Sequence, residues 1–194
     1  MPKIRPVLLL LALVACLVGV AGCGDDVQPS AADKSAQQAE KELSQQPATE
    51  EAKPVQVEKV EPAPGEGDLV TKPKIAKPTG SPPKELVAQD LIVGKGAEAK
   101  SGEQVSVQYV GNTFKDNKEF DTSWKGDKPG DPFQFQLGSG NVIQGWDQGV
   151  VGMKVGGRRK LIIPPDLAYG AQGSPPKIGA NETLVFIIDL KKVG

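Results

Sequence analysis

The sequence predicts an α+β domain, a twisted antiparallel sheet of about five strands wrapped around one short helix, preceded by a disordered tether. Three observations lead there. All nine aromatic residues lie between Tyr109 and Phe186, so the apolar surface able to offset chain ordering is C-terminal. Beyond residue 84, apolar residues alternate through several short runs, the period of half-buried strands. One segment, residues 141–150, repeats instead at intervals of four, the period of a helix face.

From the N-terminus, Lys3 and Arg5 precede a 14-residue apolar run, residues 7–20, that ends among small residues. A bilayer span needs about 20 apolar residues, so residues 1–22 are expected to be an export signal. The stretch "VAGC" at 20–23 resembles the bacterial lipobox, which makes Cys23 the expected site of lipidation. Cys16 would leave with the signal, and no thiol would remain for a disulfide, a metal or a nucleophile. With more than one acyl chain, at about 0.8 kcal/mol per buried methylene, the anchor would be stable. Residues 24–83, in stretches such as "EPAPGEGD" and "TKPKIAKPTGSPPK", carry prolines too often for a helix and show no strand alternation. They are expected to be a solvated tether with a reach of roughly 40 to 45 Å.

The domain is expected over 84–194. Strands are expected in "ELVAQDLIV", in "EQVSVQYVG" with Val105, Val107 and Tyr109 on one face, and in "FQFQL" with Phe133, Phe135 and Leu137 together. "RRKLIIP" and "TLVFIIDL" complete the set, the last with Leu184, Phe186, Ile188 and Leu190 aligned. The helix is "NVIQGWDQGV", where Val142, Trp146 and Val150, with Ile143 beside them, oppose Gln144, Asp147 and Gln148. Gly145 and Gly149 cost it about 1 kcal/mol each relative to Ala, which close packing or access for a ligand would explain. From residue 84 onward, 14 Lys and Arg face 13 Asp and Glu, and the only basic cluster, Arg158-Arg159-Lys160, is expected to be a solvated strand entrance. No nucleic-acid partner is expected.

Without histidine or a free thiol, the domain lacks the usual nucleophile–base pairs and soft metal ligands, and no metal or cofactor is expected. Several motifs in order then carry a family resemblance. "VSVQYVG", "FDTS", "FQFQLGSGNVIQGWDQGVVGMKVGGRRKLIIPPDLAYG" and "TLVFIIDL", spanning about 102–190, resemble the FKBP-type peptidyl-prolyl cis-trans isomerases. That activity suits the composition, since rotating an X-Pro bond breaks no covalent bond and meets only amide resonance, a barrier of about 18–20 kcal/mol. A dry aromatic pocket with a fixed hydrogen-bond donor favours the twisted amide, which has lost part of its charge separation.

The resemblance implies that Tyr109, Phe120, Asp121, Phe133, Val142, Ile143, Trp146, Tyr169 and Phe186 line the pocket. Trp146 would be the floor for the proline ring and Tyr109, Phe133 and Phe186 its walls. The Ile143 N–H and the Tyr169 hydroxyl would bind substrate carbonyls, and Asp121 would accept a hydrogen bond from Tyr109. Two departures bear on the rim: "SWKGDKPGD" is about three residues longer than in small relatives and brings in Trp124, and Ser174 stands where many have histidine. The loop is too short for an inserted chaperone flap. The expected partners are proline-containing unfolded or folding polypeptides and macrolide inhibitors. The expected state is a monomer, lipid-anchored in the bacterial cell envelope on the outer face of the cytoplasmic membrane or in the outer membrane. The alternative is a non-catalytic module of the same fold that binds proline segments or a partner.

Overall fold

The structure, a computed structural model, describes residues 55–194. The expected export signal, Cys23 and the tether as far as residue 54 lie outside the described residues. Among the described residues, nine strands, one α-helix and one 3-10 turn follow in order: β1 (Val57–Lys59), β2 (Val87–Ile92), β3 (Gln104–Thr113), β4 (Glu119–Thr122), β5 (Trp124–Lys125), β6 (Lys128–Pro129), β7 (Phe133–Gln136), α1 (Gln144–Gly149), β8 (Arg158–Ile163), the 3-10 turn Pro165–Leu167, and β9 (Leu184–Val193). No helix among the described residues is long and apolar enough to cross a membrane.

Seven strands form one sheet in the order β1-β2-β8-β9-β3-β4, with β7 also paired to β3. The five expected strands are β2, β3, β7, β8 and β9. β9 lies at the centre and pairs antiparallel with β8 and along β3 from Val105 to Thr113. Its alternate residues feed two cores. Leu184, Phe186, Ile188 and Leu190 pack with Trp146, Val107, Phe135 and Leu161 on the helix side, and Val185 and Ile187 pack with Ile75, Val110, Phe114 and Trp124 on the other. Burial on both faces explains why β9 reads as a nearly continuous apolar run.

Four of the expectations are corrected here. β1, β4 and the small β5–β6 hairpin are additional strands, and β1 pairs parallel with β2, so the sheet is not wholly antiparallel. The helix is six residues long, with Ile143 as an extended N-cap (φ −59°, ψ 145°) rather than a helical residue. Its two glycines have a steric reason: an added Cβ on Gly145 would lie 2.4 Å from Ile163 Cγ2, and one on Gly149 would lie 2.7 Å from Leu161 Cδ1. Both glycines therefore serve close packing of α1 on β8 rather than ligand access, and they leave little helix-forming sequence.

Third, residues 57–76 of the expected tether are held on the sheet, while residues 77–83 are mostly exposed and form no regular element. Ile75 is buried in the outer core, and Glu66 is fully buried. The fourth concerns the basic cluster, which is not solvated. Arg158 is buried against Asp189, its Nη2 2.7 Å from Oδ2, and its Nη1 donates to the Glu66 carbonyl at 2.8 Å. Arg159 pairs with Asp90 at 2.6 Å, and Lys160 with Glu66 at 2.7 Å. Each cation meets a carboxylate because a buried charge is tolerated only when paired.

Candidate active site

Period-two alternation turns Tyr109 on β3 and Phe186 on β9 toward α1, and the helix lays Trp146 between them. The Trp146 ring centroid lies 5.1 Å from Tyr109, 5.2 Å from Phe186 and 6.1 Å from Phe133. The three interplanar angles are 79°, 86° and 79°, so these rings stand nearly perpendicular to the indole, as walls stand to a floor. Phe120 continues the wall, edge-on to Phe186 at 5.5 Å. Edge-to-face contacts of this kind add about 0.5–1.5 kcal/mol each beyond area burial and hold the rings in place. Trp146 and Phe186 are only 4% exposed, whereas Phe133 and Tyr169 are 41% exposed and form the open rim.

Polar groups sit at the edge of this ring cluster. The Tyr109 hydroxyl donates to Asp121 Oδ2 at 2.7 Å, and Asp121 Oδ1 accepts from the Thr122 N–H at 2.9 Å. Burial, then the Asp121 hydrogen bond and charge, raises the Tyr109 hydroxyl far above the ordinary tyrosine range. Burial, and next the Asp121 charge, raises that of Tyr169. Both phenols are therefore neutral donors at physiological pH. Ile143 and Val142 are half-buried beside the aromatic core. The Ile143 carbonyl accepts the first helix bonds, from Trp146 N at 2.9 Å and Asp147 N at 3.3 Å, while its own N–H meets no protein acceptor among the described residues. Eight of the nine expected residues thus gather around Trp146 and Asp121, and Tyr169 lies exposed just beyond the 3-10 turn.

Hollows open elsewhere among the described residues. One of about 470 Å³ is lined by Lys77, Pro82, Phe114 and Glu182, and another of about 340 Å³ by Lys72, Ile75, Asn112 and Glu119. Neither gathers more than one aromatic ring. The aromatic cluster, rather than either hollow, is therefore the candidate site.

The sequence matches the FKBP-type peptidyl-prolyl cis-trans isomerase family over residues 95–191. The chain belongs to this family. It is 53% identical over 125 residues to an FK506-binding protein of Streptomyces anulatus, covering 64% of this chain and 98% of that one. It is 52% identical over 119 residues to a probable FK506-binding protein of Corynebacterium glutamicum, covering 61% and 96%. Among solved structures, a peptidyl-prolyl cis-trans isomerase from Pseudomonas syringae superposes with a TM-score of 0.50 at 31% identity, covering 68% of this chain and 86% of that one. The domain is accordingly an FKBP-type peptidyl-prolyl cis-trans isomerase, and the family match begins seven residues before the expected 102–190 and ends one residue after it.

Three features of this FKBP-type site were not anticipated. Gly111 on β3 faces the wall, where an added Cβ would lie 2.6 Å from Phe186 Cε1 and 2.9 Å from Phe120 Cζ, so only glycine lets those rings meet. An isolated glycine inside a strand signals such an approach, and "YVGNT" carried that signal. Phe120 is the extra residue of a β-bulge, since Gly111 pairs with Asp121 while Asn112 pairs with Glu119. Finally, Asp147 accepts from Gly138 N at 2.8 Å and Gly140 N at 2.9 Å, clamping the loop that leads to Ile143. Trp124, expected near the rim, is buried instead in the core on the opposite face of the sheet.

Proposed function

We propose that the hollow over Trp146 is where this enzyme rotates X-Pro amides, and that its substrates are exported polypeptides met at a membrane surface. The observation that carries the first part is the Tyr109–Asp121 hydrogen bond, 2.7 Å long, at the edge of an otherwise apolar ring cluster. The proline ring lies on the indole of Trp146, walled by Tyr109, Phe120, Phe133 and Phe186, with Val142 at the lip. The Ile143 N–H and the Tyr169 hydroxyl hold substrate carbonyls. Asp121, held by Tyr109 and the Thr122 N–H, places negative charge beside the amide as it twists. No group gains or loses a proton. Catalysis comes from stripping water from the planar amide and from donors already in place as it rotates.

The second part rests on the export signal and Cys23 in "VAGC". A lipid on Cys23 would keep the isomerase at an envelope membrane, where uncatalysed X-Pro isomerisation, tens to hundreds of seconds, limits folding of newly exported chains. Macrolides of the kind implied by the names of the Streptomyces and Corynebacterium relatives would occupy the same hollow and compete with proline. The chain would work as a monomer, since nothing in this scheme calls on a second copy.

A proline-isomerisation assay on residues 55–194, with peptides varied before proline, tests the site. Acceleration lost in Asp121→Ala and weakened in Phe133→Ala is expected, and full activity in both would remove the assignment. Radiolabelled palmitate should enter the wild-type chain and not Cys23→Ala. Labelling retained in the variant would remove the anchor.

A further inference from the structure

We infer that residues 57–76, outside the stretch matched to the family, form a strap that positions Phe120 and Asp121 for catalysis, with Lys72 and Ile75 as its positioning residues. The inference rests on the assignment of those two pocket residues above. β4 carries both of them and is poorly secured by the sheet alone. It is four residues long, lies at the edge of the sheet and pairs only with β3. Its register breaks at the bulge that turns Phe120 inward, so the ladder does not fix that residue on both sides. Short, singly paired edge segments are where local opening costs least.

The strap supplies the missing hold. The Lys72 ammonium lies 2.8 Å from Glu119 Oε1, one residue before Phe120. Asn117, in the turn before β4 with a left-handed φ of 52°, donates from Nδ2 to the Ile75 carbonyl at 3.1 Å. The Ile75 side chain is buried with Val110, Phe114 and Trp124, behind the strand that faces β4. The strap is itself fixed further back. β1 pairs with β2 from Val57 to Lys59, and Glu66 is tied to Lys160 and Arg158 of β8. A rigid connection therefore runs from the far edge of the sheet, across its outer face, to the turn that aims Phe120 and Asp121.

The test measures kcat and KM for proline isomerisation, together with the melting temperature, on the full chain. Lys72→Glu should lower kcat by about two- to fivefold with little change in KM, the range of a partly exposed ion pair. The charge-swapped double variant, Lys72→Glu with Glu119→Lys, should restore it. Ile75→Ala should lower kcat further. Strap variants that reduce the melting temperature while leaving kcat and KM at wild-type values would overturn the proposal and make the strap a stabiliser alone. Asp121→Ala and Phe120→Ala serve as controls. If these too retain full activity, the pocket assignment itself has failed and the strap proposal falls with it.

Discussion

Glu66 offers the sharpest test of how this domain is held together. Its carboxylate is fully buried, lies 2.7 Å from Lys160 Nζ, and accepts from Ala63 N and Ala76 N, each at 3.2 Å. Glu66→Ala removes all three interactions. Breaking a buried ion pair by deleting one partner costs about 3–5 kcal/mol. The Lys160 side chain is 15% exposed and can turn toward water, which places the loss at the low end. The two stranded N–H groups add about 1–3 kcal/mol each if they stay buried. The chain has an escape, however: the strap can undock and let water reach every orphaned group. The measured loss is then capped by the docking free energy of the strap, and we expect about 3 kcal/mol. For a domain of this size, between the calibrated ranges, that is roughly 12 °C in Tm, at about 4 °C per kcal/mol. Near-ultraviolet circular dichroism during thermal and denaturant unfolding would read it, and hydrogen exchange would show residues 57–76 opening ahead of β3 and β9. A loss below about 1 kcal/mol, with protection of the strap unchanged, would refute the reasoning.

Further expectations follow from the site. Gly111→Ala should push the Phe120 and Phe186 rings apart, destabilising by about 1–3 kcal/mol as overpacking does and lowering kcat/KM at least about tenfold; peptide kinetics beside a denaturant titration will show both. Phe186→Ala should lower kcat, whereas Trp146→Ala should mainly weaken substrate binding and stability, because the indole is largely core. The raised hydroxyl of Tyr109 fixes a pH dependence. With its folded value above the unfolded one, its stabilising contribution is whole below about pH 10, the ordinary tyrosine value, and is lost as pH rises toward the folded value. Activity should be flat from pH 6 to pH 9 within that window, as roughly neutral phenols require. Tyrosinate absorbance should show Tyr109→Phe removing the late-titrating group, and Asp121→Asn should bring that titration to lower pH without normalising it, since burial is the larger cause.

The ring cluster was legible because it lies on the regular parts of the fold. Tyr109, Phe133 and Phe186 follow strand alternation, Trp146 sits on a helix face, and their order along the chain carried the family resemblance. The bulge at Phe120 was not legible, since "KEFDTS" is too short for a register slip to show in its pattern. The larger misreading, of residues 57–76 as part of a tether, has a more general cause. Composition judges a segment by the apolar area it can bury, and by that measure "EPAPGEGDLVTKPKIAKP" is poor. What docks it includes, beside Ile75, three residues of parallel strand and the contacts to Asn117 and Glu119, one carboxylate and one carbonyl meeting two cations more than ninety residues away. The same blindness made Arg158-Arg159-Lys160 look solvated, because its acidic partners at Asp90, Asp189 and Glu66 lie far off in sequence. The tether and the solvated basic cluster are therefore one error met from two ends, each segment being part of the other's missing partner. A basic cluster at the start of a central strand is thus a reason to search upstream, in segments that look unstructured, for the buried acid that balances it.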